Sequence, residues 1–301
     1  MKFGVNILNF GPEASFESLR AWAVGAQSLG FHFVMISDHV AVTPDVQAQY
    51  PTPFYDPFTV LAWLVGVIGI ELGTTVTILP YRHPLLTARL VANLDQISGG
   101  RFLFGVGVGW AKEEFAALGI PFDRRGAISN EYLEVIRACW TQDVVSYAGE
   151  FVRFERVHTG PRPERRPPVW VGGSSEGALR RAVRLGDAWH PIRPRLSWLK
   201  ETGLPRLREL AQSEGKAAPR FCPRLNLRFS ERSLPESERT AGQGSEEQVR
   251  ADLRELAALG AEYILFDTFS GDASQPQLEP GFRQLERLAL SVIDLEGGTV
   301  R

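Results

Sequence analysis

The chain has 301 residues, 44% of them hydrophobic, with 33 basic against 35 acidic side chains and a formal charge of −2. That length suits one large α/β domain or two small ones, and the near-neutral balance excludes a general electrostatic affinity for nucleic acid. No apolar run reaches membrane-spanning length, and Cys139 and Cys222 lie far apart with no CxxC spacing, which argues against a zinc site or a disulfide framework and suits a reducing, cytoplasmic setting.

Strand-like sequence begins at Phe3, which leaves no room for a secretory leader, and residues 3–8 read as a first strand. Residues 15–29 follow as a helix closed by Gly30, with Ser15 as N-cap and Ser18 where a capping box usually has an acidic partner. A second strand, 33–37, ends in Asp38-His39. The loop 40–56, rich in proline and aromatic residues, is long for a connector and is a candidate substrate wall. Residues 57–68 are helical, 73–79 form a third strand, and 84–97 a helix with proline in its first turn, where the missing N–H costs nothing. The fourth strand, 102–106, runs into Gly107-Val108-Gly109-Trp110. Its alternating glycines permit either the close approach of a ligand to the backbone or the close packing of neighbouring elements. A short helix, 112–118, and a lip-forming loop, 119–126, come next, with Glu114, Arg124 and Arg125 read as lip ion pairs.

After an amphipathic helix at 127–140, segments 144–147 and 151–154 read as an excursion hairpin. The fifth strand, 168–171, runs into Gly172-Gly173-Ser174 and the helix 175–185. Strands at 187–192, 223–229 and 263–269 alternate with helices at 197–213, 246–259 and 281–293. Trp22, Trp63 and Trp140 fall on helix faces as core residues. Eight strand–helix units predict a (β/α)8 TIM barrel, a single domain over residues 1–301, with the hairpin between the fourth and fifth core strands. Polar or glycine-rich residues gather at the carboxyl ends of several strands: Asn6 and Asn9, Asp38-His39, Tyr81-Arg82-His83, residues 107–110, residues 172–174, His190 and Asp267. The first strand lacks the HxH of a metal-dependent barrel hydrolase, so no metal is expected. Gly172-Gly173-Ser174-Ser175 is either an anion site at a helix N-terminus or a plain capped turn.

Residues 30–40, 71–110, 113–126 and 168–189 resemble the bacterial luciferase-like superfamily, and within it the deazaflavin (coenzyme F420)-dependent oxidoreductases. The resemblance implies a flavin-like cofactor at the carboxyl face of the barrel. Asp38 and His39 would lie close to the ring, and Thr75-Val76 would form a third-strand bulge, commonly a cis non-proline peptide. Gly107, Val108, Gly109 and Trp110 would lie beside the ring, and Gly172, Gly173 and Ser174 would hold the phosphate. Trp110 stands where some deazaflavin enzymes carry a glutamate proton donor. The expected activity is hydride transfer between coenzyme F420 and a small organic substrate contacted by Asn9, His83, Trp110 and His190. His39 would shuttle the proton, with Asp38 holding its other ring nitrogen. An FMN-dependent monooxygenase is the alternative, and a non-catalytic flavin-binding protein a third reading. The partner expected is a small molecule, with neither nucleic acid nor membrane, and a homodimer is left open.

Overall fold

Alternation of strand and helix produces the expected barrel in the computed structural model, which describes residues 1–301. Its core strands are β1 (Lys2–Ile7), β2 (Phe33–Ile36), β3 (Glu71–Thr74), β4 (Phe102–Gly107), β5 (Val169–Gly172), β6 (Ala188–His190), β7 (Arg224–Asn226) and β8 (Tyr263–Asp267). They pair in parallel from β1 through β6, and β8 lies on the other side of β1. The circle closes at a split seventh strand. Arg220–Phe221 pairs with β6 and β7 with β8, and Pro223, which has no N–H to give, lies between them. Cys222 N–H donates to the Trp189 carbonyl at 2.9 Å and Leu265 N–H to Pro223 at 3.0 Å, which carries the ladder across the break. The single strand expected over 223–229 is therefore shorter at its end: Arg228–Phe229 leaves the barrel and pairs with Gln243–Gly244.

The outer helices are α1 (Phe16–Ser28), α2 (Pro57–Leu64), α3 (Pro84–Ile97), α4 (Arg125–Thr141), α5 (Glu176–Leu185), α6 (Leu204–Ser213), α7 (Glu246–Ala258) and α8 (Leu278–Arg287). At the start of α1 the box closes with serine alone: Ser18 N–H donates to Ser15 Oγ at 3.1 Å, and Ser15 N–H to Ser18 Oγ at 2.9 Å. Trp22 and Trp140 are buried, whereas Trp63 is 37% exposed and lies edge-on to Phe16, so it is not a core residue. The excursion hairpin, Val144–Ala148 with Arg153–His158, is antiparallel and lies between β4 and β5. No helix is long and apolar enough to cross a membrane.

The lower barrel interior is filled by Phe33, Met35, Leu103, Trp170, Cys222 and Leu265, so polar side chains can enter only above this plug. The third strand opens that upper space. It breaks after Thr74, the Thr75–Val76 peptide is cis, and Thr77–Ile78 resumes pairing against Val106–Gly107. This bulge accounts for two of the β4 glycines. A Cβ on Gly105 would collide with the Thr74 carbonyl, and one on Gly107 would come within 2.5 Å of Val76 Cγ2. Packing of strand against bulge is enough to exclude side chains there.

Replacing Gly105 with valine should therefore lower stability by about 2 kcal/mol or more, the usual cost of overpacking a filled interior. A thermal midpoint lowered by roughly 5 °C is expected, and one unchanged within about 1 °C would contradict the packing account.

Candidate active site

Glu114 lies in the first turn of the short helix Lys112–Ala117 that follows β4, and none of its surface is exposed. A buried carboxylate persists only when its lone pairs are satisfied. Here His39 Nδ1 lies 2.6 Å from Oε2, the Tyr81 hydroxyl donates to the same oxygen at 2.8 Å, and the Val40 and Ala41 N–H groups donate to Oε1 at 2.7 and 2.9 Å. Burial alone would raise its pKa. The hydrogen bond and charge of His39, with the Ala41 N–H and the Tyr81 hydroxyl, outweigh that and hold the carboxyl below its ordinary value. An ionised carboxylate only accepts, so His39 carries a proton on Nδ1 and turns Nε2 to the cavity that its ring lines.

Asp38 does not hold His39, contrary to expectation. Its carboxylate accepts two bonds from Arg82, at 2.7 and 2.9 Å, and one from Ile78 N–H at 3.0 Å. Neighbouring residues on an extended segment point to opposite sides, so the two side chains diverge. Arg82 also reaches Asp56, the N-cap of α2, at 2.8 Å. Loop 40–56 is thus fastened near one end by Glu114 and at the other by the Asp38–Arg82 pair.

A second buried network lies across the barrel. Arg224 Nη1 donates to the Thr75 carbonyl at 2.8 Å and to Thr75 Oγ1 at 3.2 Å, and Nη2 donates to Asp267 at 2.7 Å. Asn6 and the Phe269 N–H complete the shell of Asp267. Burial would raise the Asp267 pKa, but the charge and hydrogen bond of Arg224 outweigh it and keep the carboxyl low. His190 is fully enclosed. Burial, with the Arg224 charge adding to it, pushes its pKa down to about 4, so the ring is neutral at pH 7. Its Nδ1–H donates to the Cys222 carbonyl, and Nε2 accepts the Thr75 hydroxyl at 2.9 Å.

Above these networks the mouth holds a cavity of two connected lobes that share Thr75, Val76, Ile78, Trp110, Ile192 and Arg224. One lobe, of about 390 Å³, adds Ser37, Asp38, His39, Gln49, Tyr50 and Phe54. The other, of about 300 Å³, adds Gly107, Val108, Gly109, Gly172, Gly173 and His190. At its far end Gly173 has a φ of +100°, a turn glycine adopts without strain, and Ser175 caps α5 by accepting from the Ala178 N–H. The Glu176 and Gly177 N–H groups that open α5 have no partner in the protein, and a helix start of this kind suits a phosphate. Ser174 is exposed on this turn. A planar ring at the lobe junction and a phosphate at α5 are compatible with the residues present.

Two expected substrate contacts are not brought to the cavity. His83 caps α3, its Nδ1 accepting from Leu85 N–H at 3.3 Å, and borders a separate groove with Cys139 and His158. Asn9 is buried under loop 40–56, its amide donating to the Ser37 and Tyr55 carbonyls at 3.0 and 2.7 Å. Glu114, Arg224, Tyr50, Phe54 and Ile192 were not expected as site residues. Arg224 carried only a weak signal, a charge alternating with leucine in the seventh strand.

A parallel barrel with a bulged third strand and a cleft ending on the fifth-strand turn defines a luciferase-like oxidoreductase architecture. The chain belongs to the luciferase-like monooxygenase family, whose pattern matches residues 1–233. An uncharacterized protein of Mycobacterium tuberculosis is 35% identical over 180 residues, covering 54% of this chain and 64% of that one, so the chain spans under two thirds of that relative's length. An FMNH2-dependent dimethylsulfone monooxygenase of Pseudomonas putida is 39% identical over 112 residues, 36% of this chain and 31% of that one. The structure of an F420-dependent secondary alcohol dehydrogenase, bound to an F420-acetone adduct, shares the fold: TM-score 0.79 at 16% identity, with 95% of this chain and 97% of that one covered.

Because the folded-state pKa of Glu114 lies below its ordinary value of 4.5, its contribution to stability is present above that pH and is lost as pH falls through the folded value. Glu114→Gln should be less stable than the native protein by about 2 kcal/mol at pH 7, with the gap narrowing below pH 4.5. Denaturant titrations across pH measure this, and a pH-independent gap would contradict it.

Proposed function

We propose that this chain is a coenzyme F420-dependent oxidoreductase that transfers a hydride between the deazaflavin and a small organic substrate. The observation that carries the reading is the continuous cleft from His39 and Arg224, past the Thr75–Val76 bulge, to the start of α5. In this reading Val76, Val108 and Trp110 border the ring, Asp38 and His39 lie at its edge, and Gly172, Gly173 and Ser174 receive the phosphate. When bound, the deazaflavin supplies a carbon that gives or accepts a hydride. The protein supplies the accompanying proton. His39 Nε2 gives it to, or takes it from, the substrate oxygen, while Glu114 stabilises the charged imidazole from Nδ1. Arg224, Thr75 and neutral His190 hold the bulge in place from below.

One feature supports deazaflavin over FMN: a hydride transfer to an oxygen-bearing carbon needs one proton partner, and the His39 imidazole lines the cavity. The FMN reading draws on the similarity to the dimethylsulfone monooxygenase over 112 residues.

Titration of the purified protein with coenzyme F420 and with FMN should show at least ~10-fold tighter binding of the deazaflavin, about 1.4 kcal/mol. Tighter binding of FMN would transfer the assignment to the alternative. Once a substrate is found, His39→Asn at saturating cofactor should lower turnover by ~10²-fold. Undiminished turnover would reduce His39 to a packing residue, and the absence of any turnover with intact cofactor binding would leave a carrier.

A further inference from the structure

The opposite pole of the barrel holds a second concavity, of about 360 Å³, built where the strands begin. Glu71 and Tyr263 open β3 and β8, Asp187 stands just before β6, and Arg220 begins the split seventh strand. Arg165 and Arg166, from the segment leading into β5, complete the rim, and the apolar plug of the lower barrel separates the basin from the mouth. Three arginines face two carboxylates here, and both carboxylates are already taken. Glu71 accepts from Lys2 Nζ at 2.8 Å, while Asp187 is paired with Arg166 and accepts from the Val169 N–H at 2.8 Å. The Arg165 and Arg220 guanidiniums donate to no acceptor in the protein. Asp95 takes only the backbone N–H of Arg165, at 3.4 Å, and Glu262 stands 3.9 Å from Arg220, beyond hydrogen-bond reach. The Tyr263 ring steadies the cations beside it, 5.9 Å from the Arg220 guanidinium and 5.3 Å from Lys2 Nζ. Arg137, which donates to the Leu185 carbonyl at 2.7 Å, is held below the usual arginine pKa by burial and then by the Arg166 charge. Positive charge at this pole exceeds what the protein's own carboxylates answer.

We infer that this basin is a second ligand site, which takes the phosphate group of a small phosphoester, or free phosphate, between the Arg165 and Arg220 guanidiniums. A guanidinium presents paired donors that match two oxygens of a phosphate, and a dianion with oxygens on several sides serves two such forks at once. A monocarboxylate can satisfy only one of them. Only two of the eight lining residues are apolar, which suits a polar ligand, and the volume falls within the roughly 300–1,000 Å³ of small-molecule sites. The amino pole of such a barrel serves stability, and a ligand that binds only the folded chain raises stability by mass action. The occupant therefore stabilises the barrel and takes no part in the chemistry at the mouth.

The test is calorimetric titration of the full chain with inorganic phosphate and with glycerol 3-phosphate, in a non-phosphate buffer with chloride holding the ionic strength constant. The native chain should bind phosphate, and the double variant Arg165→Ala, Arg220→Ala should bind it at least ~10-fold more weakly while keeping the native circular dichroism spectrum. Should the double variant fail to fold, Arg165→Gln alone, at an exposed position, carries the same comparison. Phosphate held at the start of α5 would survive these changes, so undiminished binding in the folded variants would overturn the inference. Binding of neither probe by the native chain would overturn it too, as would acetate binding as tightly as phosphate. Tighter binding of glycerol 3-phosphate than of inorganic phosphate identifies a phosphoester as the occupant, and the reverse identifies the free ion.

Discussion

A carboxylate that receives four hydrogen bonds in a water-free position organises the mouth of this barrel. Glu114 joins segments that follow three different strands: His39 to Ala41 after β2, Tyr81 after β3, and its own short helix after β4. No one of these contacts could keep a charge buried, because an ion taken out of water requires nearly complete replacement of its solvation. Together they do so, and the imidazole orientation, the start of loop 40–56 and the position of Tyr81 become one cooperative unit. A side chain that removes the charge loosens all three.

The Arg224–Asp267 pair does the same below the cavity. It turns one guanidinium toward the Thr75 carbonyl and hydroxyl, and through Thr75 it fixes the acceptor role of His190. The bulge is therefore held from beneath by polar contacts and from the side by β4, where glycine at 105 and 107 admits it.

The barrel was legible because strand and helix periods alternate eight times, and most strand ends carry a glycine or a polar residue. The bulge at Thr75-Val76 was implied only by the resemblance to the luciferase-like superfamily, since the residues themselves read as a continuous strand over 73–79. The partnerships were not legible. Asp38 stands next to His39 in sequence but faces away from it, whereas the actual partner, Glu114, lies 75 residues on. Arg224 reaches Thr75 across 149 residues. Such pairings are set by which strands become neighbours when the sheet closes, and a local pattern carries no record of that. His83 misled for a related reason. It follows Tyr81-Arg82 at a strand end, but proline at 84 starts α3 immediately and turns the imidazole into a helix cap.

The central claim, that Glu114 fixes the His39 proton on Nδ1 and leaves Nε2 for the cavity, can be read directly by long-range proton–nitrogen correlation of the histidine rings at pH 7, with His39→Asn used for assignment. The account predicts a protonated Nδ1 on His39 that loses its strongly hydrogen-bonded proton signal in Glu114→Gln. An unprotonated Nδ1 with the proton on Nε2 alone would contradict it.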